Sequence, residues 1–161
     1  ATFSIILKTV SAPLVPQSAD GDGTRTDETR QVSDAKRHRV LVVDDHEDTC
    51  TGMKMMLQRR GFDITVAHTA DQALAKVQTE NFDLLISDIG MPDLDGYAFI
   101  RKLRSMKSPA STVPAIALTA YAGEHDRKLS IEAGFNTHIP KPITLTELVR
   151  VIGKLIDERG N

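Results

Sequence analysis

Cysteine is all but absent. Cys50 is the only one in 161 residues, so no disulfide can form within the chain, and a reducing compartment is expected. It lies among residues of helical pattern and is read as a small buried thiol. An excess of charge of either sign is missing as well. With 20 basic against 22 acidic residues and a formal net charge of −2, the chain offers no broad surface for nucleic acid or anionic membrane. Long apolar runs are also lacking. FSIIL, Phe3 to Leu7, is too short to span a bilayer, and no basic leader precedes it. The expectation is a cytoplasmic chain that contacts neither membrane nor nucleic acid directly.

What is present is enough apolar sequence, 40%, for one domain with residues to spare. The surplus lies at the front. From Ser11 to Lys36 the chain is Ser, Thr, Asp, Gly, Gln and Pro, with almost no large apolar residue after Val15. Such a segment cannot bury enough surface to offset its ordering entropy, and residues 11–37 are assigned as a flexible linker. Upstream, ATFSIILK alternates Phe3, Ile5 and Leu7 with smaller residues, so residues 1–10 are a strand-like remnant of some neighbouring unit. The domain proper is expected over 38–158, with 159–161 as a tail.

Within that domain RVLVVD, FDITVA, FDLLIS, VPAIALT and FNTHIP are strand candidates, most of them apolar on both faces, as strands in a sheet covered on both sides are. The stretches Glu47–Arg60, Thr69–Glu80, Tyr97–Ser105, Glu124–Ala133 and Leu145–Glu158 read as helices. Ala70, Ala73, Leu74 and Val77 recur at helical spacing behind Thr69 as N-cap. Gly61 and Gly134 fall just past helix ends, where a left-handed residue is expected. Alternating strands and helices predict an α/β fold of three layers, a doubly wound parallel sheet with helices on both faces. Chemistry on such a sheet belongs at the carboxyl ends of the strands.

Four strand ends carry it. LVV runs into Asp44 and Asp45, LLIS into Asp88, IAL into Thr119 and HIP into Lys141. Each feature alone has an ordinary explanation, such as a helix N-terminal acid, a turn threonine or a solvated lysine. Together, on parallel strands, they converge on one edge. Like-charged carboxylates at about 4 Å and an effective dielectric near 20 repel by roughly 4 kcal/mol per pair. A hard divalent cation with oxygen ligands relieves this, and Mg²⁺ is the expected one. With Lys141 beside it, the cleft is suited to receive a phosphoryl group.

VLVVDDHED, DLLISDIGMPDLDGYAFIRKLR, IALTAYA and HIPKPI resemble the response regulator receiver domain of two-component signalling, over about His38 to Glu158. The resemblance implies a (βα)5 flavodoxin-like fold with strand order 2-1-3-4-5. It implies Asp88 as phosphoacceptor from a phosphohistidine, with Asp45 bound to Mg²⁺ directly, Asp44 mostly through water, and the Gly90 carbonyl completing the ligands. Lys141 would pair with the phosphoryl oxygens and Thr119 would move to meet them. Ala120 would leave room for the donor, and Tyr121 lies where the family tunes loss of the phosphoryl group. Met91, Pro92 and Gly96 would shape the loop after Asp88, and the Lys141–Pro142 bond would be cis. His138 stands where the family commonly has a switching Tyr or Phe. His38, His46, His68 and His125 receive no metal role, for want of ligand-like spacing.

The implied function is that of a phosphorelay receiver which assists its own phosphorylation without being an enzyme proper. Its partner would be a histidine kinase or histidine phosphotransfer domain, and its readout the surface of the fourth helix, fifth strand and fifth helix. The chain ends soon after that helix, so onward signalling is expected to pass through protein contact or phosphotransfer. Because ATFSIILK is similar to the closing strand of the ATP-binding domain of sensor histidine kinases, a receiver from the C-terminal end of a hybrid kinase is expected. The alternative is a stand-alone single-domain regulator. A haloacid dehalogenase-like phosphohydrolase would put its nucleophile after the first strand with another Asp two positions on, where this chain has His46, and would need a cap domain.

Overall fold

The computed structural model describes residues 37–160. The readings of residues 1–10 and of nearly all the linker lie outside these. Five strands form one parallel sheet: β1 Arg39–Val43, β2 Asp63–Ala67, β3 Leu84–Asp88, β4 Ala115–Thr119 and β5 Thr137–Pro140, in the order β2-β1-β3-β4-β5. The expected order 2-1-3-4-5 is the observed one. Helices α1 Glu47–Gln58, α2 Ala70–Thr79, α3 Gly96–Arg104 and α4 Glu124–Ala133 make the four crossovers, and α5 Leu145–Gly160 follows β5 and packs back on the sheet.

The unbroken apolar runs are explained by two cores, one on each face. Successive strand residues point to opposite faces. Leu41, Val43, Leu85, Ala115 and Ala117 pack with Leu74 and Val77 of α2, Phe99, Ile100 and Leu103 of α3, and Ala133 of α4. Val40, Val42, Leu84, Ile86, Ile116, Leu118 and Ile139 pack on the other side with Met53 and Leu57 of α1 and Leu148, Ile152 and Leu155 of α5. Cys50 is buried in this second core, as expected.

Local signals set most boundaries. The Thr69 hydroxyl accepts from the Gln72 N–H at 3.1 Å and caps α2. Helix α1 stops at Gln58, two residues before the expected end, because Gly61 takes a φ of +89° and its N–H closes on the Gln58 carbonyl at 3.0 Å. Gly134, at φ +122°, ends α4. Helix α5 continues to Gly160, two residues past the expected end, where the Arg159 guanidinium donates to the carbonyls of Phe82 and Asp83 at 3.2 and 3.3 Å. A short 3-10 helix at Pro109–Thr112 was not anticipated, since four residues carry no readable period. None of the helices among the described residues is long and apolar enough to cross a membrane.

Candidate functional site

Register brings the acids together. Val43 pairs with Ser87 across β1 and β3, so the next residues, Asp44 and Asp88, leave the sheet side by side. Asp88 pairs with Leu118 of β4, and Thr119 with Pro140 of β5. Lys141 is tied in by its own N–H, which donates to the Thr119 carbonyl at 2.7 Å. Its ammonium lies 3.0 Å from Asp88 Oδ1 and 3.6 Å from Asp44 Oδ2. The Lys141–Pro142 bond is cis, as expected.

Asp44 is wholly buried and Asp88 is 5% exposed, whereas Asp45 is partly open to solvent. Asp44 Oδ1 accepts from the His46 backbone N–H at 2.9 Å and meets His46 Nδ1 at 3.1 Å. Among the described residues, Asp44 Oδ2 and Asp45 Oδ1 are buried oxygens without a hydrogen-bond partner. Asp45 Oδ1 does lie 3.1 Å from His46 Nδ1, a charge contact with the protonated ring and not a hydrogen bond. His46 has its pKa raised, first by the hydrogen bond with Asp44, then by the charges of Asp45 and Asp44. Burial pushes the Cys50 thiol up to about 11, with the Asp44 charge adding to it.

The remaining expected residues stand around this centre. The Thr119 hydroxyl is buried and accepts the Tyr121 N–H at 3.0 Å. Ala120 is exposed and Tyr121 is 70% exposed, directly after Thr119 in the chain. A Cβ placed on Gly90 would lie 3.7 Å from Asp88 Oδ2, so the backbone at Gly90 passes close to that oxygen. The backbone at Gly96 comes closer still: a Cβ there would be 2.5 Å from the Asp88 carbonyl oxygen and 2.8 Å from Ile89 Cα. His138 is half-buried on β5, opposite Ala117 and two strands away from Asp88.

His46 makes a contact that spacing does not show: its ring nitrogen lies 3.1 Å from Asp44 Oδ1 and 3.1 Å from Asp45 Oδ1. The available signal was position: it follows the two acids directly and is the N-cap residue of α1.

The family model of the response regulator receiver domain matches residues 40–153. The chain belongs to that family. This receiver domain is 42% identical over 113 residues to an uncharacterised 14.6 kDa protein of Leptolyngbya boryana, a match over 70% of this chain and 86% of that protein. It is 36% identical over 116 residues to the sensor protein EvgS of Escherichia coli, covering 72% of this chain but 9% of that protein. Among solved structures, a sensor histidine kinase receiver domain from Pseudomonas aeruginosa has a magnesium ion coordinated in its active-site cleft. The match to it has a TM-score of 0.69 at 31% identity, over 75% of this chain and 98% of that one.

The receiver cleft has the donor set for a hard cation. Asp44, Asp45 and Asp88 against the single ammonium of Lys141 leave an excess of negative charge, and two buried carboxylate oxygens have no donor. Leaving such an oxygen unpaired costs about 1–3 kcal/mol, more when it is charged, so a divalent ion fits both the charge and the vacant acceptors.

Proposed function

We propose that this receiver domain takes a phosphoryl group from a phosphohistidine onto Asp88, with Mg²⁺ held by Asp44, Asp45, Asp88 and the main-chain carbonyl of Gly90. The observation that carries this is the Lys141 ammonium 3.0 Å from Asp88 Oδ1, beside two orphaned carboxylate oxygens. An oxygen of Asp88 attacks phosphorus, the phosphorus–nitrogen bond breaks, and its electron pair returns to the donor imidazole. An acyl phosphate is left on Asp88. Held by these residues, magnesium would supply positive charge to the phosphoryl oxygens and would screen the acids from one another.

Lys141 neutralises Asp88 at rest and turns to the phosphoryl oxygens after transfer. The Thr119 hydroxyl accepts from Tyr121 at rest and keeps its own proton to donate to a phosphoryl oxygen. Ala120 admits the donor, and the exposed Tyr121 screens attacking water. Phosphorylation adds about one negative charge and three acceptors, which pulls Thr119 and Lys141 inward and biases the α4–β5–α5 surface, with His138 as a pivoting side chain.

The donor is a histidine kinase or histidine phosphotransfer domain in the cytoplasm. The match to 9% of a sensor protein favours the receiver part of a hybrid kinase. The match to 86% of a 14.6 kDa protein favours a stand-alone regulator as second reading. Sequence upstream of Ala1 that encodes a nucleotide-binding kinase core would decide for the first. For the chemistry, acetyl phosphate with Mg²⁺ is expected to add one phosphoryl group by mass, and Asp88→Asn to abolish it. Equal labelling of Asp88→Asn, or turnover of a phosphoester without labelled Asp88, would refute it.

A further inference from the structure

His46 is the feature that the phosphoacceptor reading leaves unused. Its Nδ1 lies 3.1 Å from Asp44 Oδ1 and 3.1 Å from Asp45 Oδ1, and one ligand atom from each of the three side chains lies within 4.8 Å of the others. Ligands at right angles around a metal at about 2.1 Å stand about 3.0 Å apart, so both contacts have the length of an edge of a coordination polyhedron. The ring is held there by its backbone, whose N–H donates to Asp44 Oδ1 at 2.9 Å from the N-cap position of α1.

Independently, Asp44 is wholly buried and its Oδ2 lacks a hydrogen-bond partner among the described residues. Lys141 Nζ, at 3.6 Å, is outside hydrogen-bond reach of that oxygen. A pocket of carboxylates and a carbonyl accepts Mg²⁺ and other dications alike, whereas an imidazole nitrogen among them favours first-row transition metals.

We propose that His46 is a metal ligand of this cleft, which gives it a preference for transition-metal dications over magnesium. The inference rests on the reading that Asp44 and Asp45 hold a divalent ion. To bind, the His46 ring carries its proton on Nε2 and offers the Nδ1 lone pair. The same position makes His46 the determinant of metal choice: the carboxylates serve either class of ion, and the imidazole discriminates.

The test uses Ni²⁺, Mg²⁺ and Mn²⁺ on the whole chain. Calorimetry gives the Ni²⁺ to Mg²⁺ affinity ratio for the wild-type chain, His46→Gln, Asp45→Asn and His125→Gln, and pulsed electron paramagnetic resonance of bound Mn²⁺ reads nitrogen coupling. The expected result is nitrogen modulation of the Mn²⁺ echo in the wild-type chain and in His125→Gln, lost in His46→Gln. The Ni²⁺ to Mg²⁺ ratio should fall in His46→Gln by at least the roughly tenfold that loss of a mere outer partner costs. An unmodulated echo, modulation that survives in His46→Gln, or an unchanged ratio overturns the proposal and leaves the two-acid site standing. Mg²⁺ affinity unaffected by Asp45→Asn would instead bring down the site itself, and this inference with it.

Discussion

Gly96→Ala should separate the positioning of Asp88 from the stability of the fold. The added Cβ would sit 2.5 Å from the Asp88 carbonyl oxygen and 2.8 Å from Ile89 Cα, and both are backbone atoms that cannot rotate away. Ordinary contact begins near 3.4 Å, so the Asp88–Ile89 peptide and the start of α3 must part by about 0.9 Å. Two effects oppose each other in the folding free energy. Alanine is the better helix former by about 0.5–1 kcal/mol, whereas overpacking of this kind costs about 1–3 kcal/mol. A net loss of about 1–2 kcal/mol is expected, visible in a urea melt followed by circular dichroism.

The chemical effect should be much larger. The Gly96 N–H donates to the Ile89 carbonyl at 3.0 Å, so the displacement is passed straight to the strand end that carries Asp88. Its carboxylate stands 3.0 Å from Lys141, and a misplacement near 1 Å can cost about a hundredfold in rate. The initial rate of phosphorylation by acetyl phosphate should therefore fall by about two orders of magnitude, while the melt shifts only modestly. Gly153→Ala in α5 is the control, since a Cβ there meets nothing within 4 Å among the described residues. A wild-type phosphorylation rate in Gly96→Ala would refute the claim that the close approach holds Asp88.

Cys50 should resist alkylation: with its thiol near 11, the reactive thiolate is scarce at pH 8, so iodoacetamide should modify it slowly in the folded chain and readily in urea. Reaction at equal rates in both would contradict its burial. Arg104→Lys should destabilise by about 2–4 kcal/mol in denaturant titration, since the guanidinium donates to the carbonyls of Gly134, Ser111 and Val113 at 2.8–2.9 Å and one ammonium cannot reach all three.

How much was legible follows from the range of each interaction. The sheet and its two cores were readable because β1 has Val40 and Val42 for one face and Leu41 and Val43 for the other, a pattern complete within five residues. The strand-end residues were readable for the same reason, and Asp44, Asp88 and Lys141 do meet. Arg104 was not, because its role depends on Gly134, 30 positions away. Helix ends moved by two residues where a turn or a distant carbonyl decided them. The contacts of His46 were not legible in the spacing between histidines, because its ring turns back onto the residues just before it.

The crowding of acids that makes the cleft chemically useful also makes it a weak point of the fold. Asp44 is held without solvent, with one oxygen unpartnered, at the end of a strand whose Val40 to Val43 are fully buried. That edge can be tolerated because the two cores secure the strand from both faces, so β1 cannot move its tip outward to hydrate the carboxylate. The unfavourable charge is thereby kept in place for a cation to relieve. A cation that binds only the folded chain adds its binding free energy to stability, about 2.7 kcal/mol at a hundred times its Kd. On the proposed metal site, folding, metal occupancy and the setting of Asp88 would be linked through one carboxylate, Asp44, which lies beside Lys141, His46 and the end of β1 at once.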